Sequence, residues 1–143
     1  MTSHRILLVD DEAEFIATLA KRMRARGLEV DTAPDGETAI TLSQAAPYDV
    51  VVLDLAMPGM DGLETLSHLQ KIDDETQVIL LTGHGNVSKC VEAMKHGATD
   101  FLEKPTQFQA LLEKVTAAAR QRHELADQHM DEHVADIMSK KGW

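Results

Sequence analysis

Five side chains of this sequence have the types and placement for one piece of chemistry: Asp10, Asp11, Asp54, Thr82 and Lys104. Each follows a short run that reads as a strand: Ile6 to Val9, Val50 to Leu53, Val78 to Leu81 and Asp100 to Glu103. Alone, each has a bland explanation, since Asp caps helices and turns, Thr caps loops and Lys is a solvated edge charge. Together they need a common reason. Three carboxylates brought close repel one another, and the usual remedy is a hard divalent cation with oxygen ligands, Mg²⁺ above all. An Asp beside Mg²⁺, an ammonium and a hydroxyl is suited to accept a phosphoryl group. The carboxylate attacks phosphorus while metal and ammonium offset the charge on the transferring oxygens.

The elements that must position these groups alternate along the chain. Val50, Val51, Val52 and Leu53 form an uninterrupted apolar run, the pattern of a parallel strand covered on both faces. Ile6 to Val9 repeats it. Between them lie a helix from Ala13 to Arg26, stopped by Gly27, a partly polar edge strand from Leu28 to Ala33, and a helix from about Gly36 to Ala46. Asp35 reads as the N-cap of that second helix and Pro47 ends it. After Asp54 come a turn with Pro58, Gly59 and Gly62, then a helix from Gly62 to Ile72 presenting Leu63, Leu66 and Leu69. Val78 to Leu81 leads into the loop Thr82-Gly83-His84-Gly85-Asn86. The next helix carries Val87, Val91 and Met94 on one face, with Cys90 and Met94 read as core-side packing. Asp100 to Glu103 is the fifth strand, and the last helix starts near Gln107.

Five strands alternating with five helices predict an α/β fold, a doubly wound parallel sheet in the order 2-1-3-4-5 with helices on both faces. In that order strands one, three, four and five are contiguous, and their polar ends converge on one mouth at the switch point between strands one and three. Strand two, which ends in no reactive group, lies outside.

The bulk properties bound the function. A chain of 143 residues suits one domain. One Cys, Cys90, forms no internal bridge and fits a reducing compartment. No apolar run approaches bilayer length and the N-terminus lacks a signal pattern, so a cytoplasmic protein with no membrane segment is expected. A net charge of −10 argues against direct nucleic-acid binding.

The four segments LLVDD, VVLDLAMPGMDG, ILLTGHG and DFLEKP, in this order and spacing, resemble the response-regulator receiver domains of two-component signalling. The resemblance covers about Arg5 to Arg120 and implies the flavodoxin-like receiver fold, with Asp54 as phosphoacceptor. It implies Mg²⁺ held by Asp10, Asp11, Asp54 and the backbone carbonyl of Ala56, with Thr82 and Lys104 gripping the phosphoryl oxygens. Phe101 stands where this family carries its switch aromatic, and a cis peptide is expected before Pro105. The side chains at Ala56 and His84 stand at positions that tune phosphoryl lifetime, and Ala56 offers no group to orient an attacking water. The implied partners are a sensor histidine kinase or phosphotransfer protein and a downstream protein effector, with self-phosphorylation and self-dephosphorylation as the only enzymatic activity. TGHG followed by VEAMKHGATDFLEKP looks closest to receivers of nitrogen-regulation and dicarboxylate-transport regulators.

A haloacid-dehalogenase-like phosphatase also uses a strand-end Asp with Mg²⁺, but it looks like D-x-D-x-T/V, and Asp54-Leu55-Ala56 lacks the second Asp. His129-Met130-Asp131-Glu132-His133 matches H-x-x-E-H, yet it lies in a charged terminal segment and reads as a solvated helix face. The receiver is expected over 1–120 and a helical extension or tail over 121–143, with no output domain. Met130, Val134 and Ile137 resume an apolar stripe there. A projecting helix cannot bury such a stripe alone, and related receivers often pair through helix four, strand five and helix five. A weak homodimer through that face is the expectation.

Overall fold

The computed structural model describes residues 3–55, 61–83 and 87–140, the side chains of 87 and 129–140 excepted. Its elements are β1 (Arg5–Val9), α1 (Ala13–Ala25), β2 (Glu29–Ala33), α2 (Gly36–Ala45), β3 (Val50–Asp54), α3 (Gly62–Ile72), β4 (Gln77–Thr82), α4 (Val87–Lys95), β5 (Asp100–Glu103) and α5 (Phe108–Lys140). The strands form one sheet in the order β2-β1-β3-β4-β5, every pair parallel. This is the doubly wound order 2-1-3-4-5 expected from the sequence.

Successive residues of a strand face opposite sides, so a sheet covered on both faces divides its apolar residues by parity. Leu7, Val9, Val51, Leu53, Val78 and Leu80 face one layer with Ala39 of α2, Leu66 and Leu69 of α3, and Cys90 and Ala93 of α4. Ile6, Leu8, Val50, Val52, Ile79 and Leu81 face the other, with Ile16, Leu19 and Met23 of α1 and Leu111, Val115 and Ala119 of α5. All five residues of β3 and all six of β4 are buried, whereas β2 buries only Val30 and Ala33. The polar composition of β2 is thus the signature of its edge position.

Local chemistry sets the helix ends. Asp35 accepts from the Thr38 N–H at 2.7 Å and Asp61 from the Glu64 N–H at 2.9 Å, so each caps its helix. Gly27, at φ +87°, closes α1 in the left-handed region. At the start of α3 the backbone passes close to the end of β3. A Cβ on Gly62 would lie 2.9 Å from Leu55 Cα, so glycine there lets α3 begin beside the strand that carries Asp54.

One face assignment requires correction. Val91 and Met94 are the exposed large hydrophobics among the described residues, at 50% and 38%, while Cys90 and Ala93 are fully buried. Of the pair Cys90 and Met94, only Cys90 packs into the core. Two apolar stripes compete on α4, and the sheet takes the one with smaller side chains, leaving the larger residues outside. The Val87 side chain lies outside the described residues.

Candidate functional site

β1 and β3 are neighbours, with Val9 opposite Leu53, so Asp10 and Asp54 leave the sheet side by side. Asp10 is 1% exposed and Asp54 4%, whereas Asp11 is exposed. The three carboxylates converge, each offering an oxygen within 4.8 Å of the others'. Asp10 is oriented by its neighbours: its backbone N–H donates to the Ala33 carbonyl at 3.1 Å, and its Oδ1 accepts the Glu12 N–H at 2.9 Å.

Lys104 arrives from the end of β5. Its N–H donates to the Thr82 carbonyl at 2.7 Å, which ties the lysine backbone to the end of β4. The peptide bond to Pro105 is cis, as the resemblance implies. The ammonium lies 2.6 Å from Asp10 Oδ2, 3.5 Å from Asp54 Oδ2 and 3.4 Å from Glu12 Oε1. Burial by itself would push this ammonium down. The hydrogen bond to Asp10 and the charges of Asp54, Asp10 and Glu12 outweigh that and hold it above the ordinary lysine value.

Thr82 is fully buried, and its hydroxyl donates to the Gly83 carbonyl at 3.3 Å. Cys90 of α4 is buried as well. Burial pushes its thiol up, the Thr82 hydroxyl pulls it down, and the charge of Glu103 adds to the rise. Phe101, opposite Leu80 in β5, is half-buried against the layer that holds Cys90. The carbonyl of Ala56 and the side chain of His84 fall outside the described residues.

Two neighbours of the site were not among the sequence candidates. Glu12 is a third carboxylate partner of Lys104, and Phe15 lies under the ammonium, with 4.8 Å from Nζ to the ring centroid. The acidic run Asp10-Asp11-Glu12 held a signal for the first. Phe15 reads as a core position of α1 and carries no local sign of this contact.

The donor set fits a hard divalent cation: three carboxylate oxygens and no thiol or imidazole among the described residues of the cluster. Lys104 already balances part of their charge, and the two oxygens of Asp10 keep lone pairs beyond their present hydrogen bonds.

The model of the response regulator receiver domain matches residues 6–116, and the chain belongs to that family, the receiver modules of two-component signal transduction. It is 42% identical over 118 residues to the C4-dicarboxylate transport transcriptional regulatory protein DctD of Pseudomonas aeruginosa, covering 82% of this chain and 26% of that protein. It is 35% identical over 122 residues to the transcriptional regulatory protein PrrA of Mycobacterium tuberculosis, covering 85% of this chain and 52% of that one. The crystal structure of the receiver domain of NtrX from Brucella abortus superposes with a TM-score of 0.77 at 33% identity, covering 80% of this chain and 98% of that chain. The chain thus spans from about a quarter to about half the length of these curated relatives. DctD and NtrX bear out the likeness to dicarboxylate-transport and nitrogen-type regulators read from the loop after β4. Receiver domains are signalling modules that partner with histidine kinases. No described helix is long and apolar enough to cross a membrane.

Proposed function

We propose that this receiver is a cytoplasmic phosphorylation switch in which Asp54 accepts a phosphoryl group from the phosphohistidine of a partner kinase or phosphotransfer protein. An Asp54 oxygen forms a bond to phosphorus as the P–N bond to the donor imidazole breaks, the nitrogen keeping the electron pair. The product is an aspartyl phosphate, and water later returns the carboxylate. The observation that carries this reading is the convergence of Asp10, Asp11 and Asp54 within 4.8 Å, with an ammonium 3.5 Å from Asp54.

Asp10, Asp11 and Asp54 would hold Mg²⁺, and the family resemblance adds the backbone carbonyl of Ala56. Bound there, the ion would neutralise charge on the phosphoryl oxygens. Lys104 donates to one of those oxygens, and the Thr82 hydroxyl reports their arrival to the loop after β4. Phe101 follows that movement, and the face of α4 changes its contacts with an effector protein. Self-phosphorylation and self-dephosphorylation are the only chemistry of the chain.

The exposed Val91 and Met94 support a protein-binding role for the α4 face, by a weak homodimer through α4, β5 and α5 or by an effector. The domain ends near residue 120 and α5 continues past it as an extension. The chain acts either alone or as the receiver part of a larger transcriptional regulator.

A small phosphodonor with Mg²⁺ tests the reading. Mass spectrometry should find one acid-stable, hydroxylamine-labile phosphoryl group, absent in Asp54→Asn and absent when Mg²⁺ is chelated. Wild-type labelling of Asp54→Asn would refute it.

A further inference from the structure

We infer that the chain carries a second metal site, for a borderline cation such as Zn²⁺, at the opposite end of the sheet from Asp54, made by His4, Asp49 and His123. Asp49 precedes β3 and Asp54 ends it, so the two sites are about 16 Å apart by strand rise. The donors come from three separate parts of the chain: His4 just before β1, Asp49 just before β3 and His123 in the fifth turn of α5. One atom from each, Nδ1 or Nε2 of the imidazoles and a carboxylate oxygen, lies within 4.8 Å of the other two.

One of the donor separations matches a coordination sphere and the other lies within about 1 Å of it. Tetrahedral Zn²⁺ with bonds of about 2.0–2.1 Å to nitrogen and oxygen puts its donors about 3.3 Å apart. His123 Nε2 lies 3.3 Å from Asp49 Oδ1, and His4 Nδ1 lies 4.0 Å from Asp49 Oδ2. His4 and His123 meet edge to face with centroids 5.1 Å apart. Their side chains are 27% and 45% exposed, so a small rotation of either ring closes the remaining gap.

His4 Nδ1 provides the independent pointer. It is buried and has no hydrogen-bond partner, although a carboxylate is nearby. A buried imidazole nitrogen is normally paired, and a metal is one partner that satisfies it. Two imidazoles and one carboxylate form a ligand set suited to Zn²⁺, unlike the all-carboxylate pocket at Asp54.

Arg122 is the charge that opposes a cation here, 3.1 Å from Asp49 Oδ1. It is also 2.9 Å from Asp73 Oδ2, and that carboxylate neutralises it. The Arg5 N–H donates to Asp49 Oδ2 at 2.8 Å, so the ligating carboxylate is itself held by hydrogen bonds. An occupied site would join α5 to the starts of β1 and β3, and so fix the direction in which residues 124–140 leave the sheet.

The test is calorimetric titration of tag-free, chelator-stripped protein with Zn²⁺ in excess Mg²⁺. One equivalent should bind. His4→Ala and His123→Gln should each raise Kd at least tenfold, and the double variant His129→Gln/His133→Gln should leave it within twofold. Binding that survives both His4→Ala and His123→Gln overturns the site. So does loss of the equivalent in the His129/His133 double variant or in Asp11→Asn, or the absence of any bound equivalent. Should the His4 variant fold poorly, imidazole NMR of the wild-type chain decides: Zn²⁺ must shift His4 and His123, and shifts confined to other histidines refute the assignment.

Discussion

Replacing Lys104 by Ala should move two properties of the protein in opposite directions. In chelator the ammonium is the principal partner of a carboxylate that is 1% exposed, at 2.6 Å from Asp10 Oδ2. A hydrogen bond to a charged group contributes about 1.5–3 kcal/mol. The contact with Glu12, whose side chain is 64% exposed, adds no more than about 0.5 kcal/mol. A loss of about 2–3 kcal/mol at pH 7 follows, measured by urea unfolding. The sign with pH is definite. The folded-state value of Lys104 is raised, so its contribution is complete below the ordinary lysine range and is lost only as pH rises through the folded value. A difference measured between pH 6 and 8 should therefore be flat. Mg²⁺ affinity should change the other way, because the ammonium occupies Asp10 and Asp54 oxygens that the cation needs. Relief of about 1.4 kcal/mol of that competition corresponds to about tenfold tighter Mg²⁺ binding. Saturating Mg²⁺ should then shrink the stability gap between variant and wild type. A variant with wild-type stability in chelator, or with weakened Mg²⁺ binding, would refute the reasoning.

Two further outcomes concern the helix that leaves the domain. Arg122→Met removes contacts to Asp49 and Asp73 at 3.1 and 2.9 Å and should cost about 1–2 kcal/mol at neutral pH after allowance for solvent screening. Burial raises the Asp73 carboxyl but Arg122 and the Glu75 N–H lower it further, so its folded value is depressed. The stability it lends is present above the ordinary carboxylate range and disappears as pH falls through the folded value, so an equal cost at pH 7 and pH 3 would contradict the linkage. Truncation after Leu125 keeps Arg122 and His123 on the sheet while removing the rest of α5. Sedimentation with a phosphoryl mimic should show the full chain associating more strongly than the truncated one, and identical behaviour would leave residues 126–143 without a role in pairing.

The alternation of short apolar runs with helical patterns was enough to read the topology, because a strand covered on both faces has few other ways to look. The candidate site was legible for the same reason. Asp10, Asp11, Asp54, Thr82 and Lys104 each lie at or just past the end of a strand, and the strand order makes neighbours of residues up to 94 positions apart. Capping by Asp35 and the stop at Gly27 were local and were read locally.

The face of α4 was not legible. Its stripes Val87-Val91-Met94 and Cys90-Ala93 both have helical spacing, and only packing on the sheet decides between them. Phe15 beneath Lys104 came into the site because α1 starts where β1 ends, at a distance and angle that no spacing along the chain records. The cluster at the other end of the sheet was hidden for a related reason. His4, Asp49, Asp73, Arg122 and His123 belong to no motif and no common period, and they meet because a helix 33 residues long outruns the sheet it covers. Sequence patterns report what one element does on its own axis. Which groups from different elements share a volume is set by crossing angles and helix lengths, and that only the tertiary structure decided.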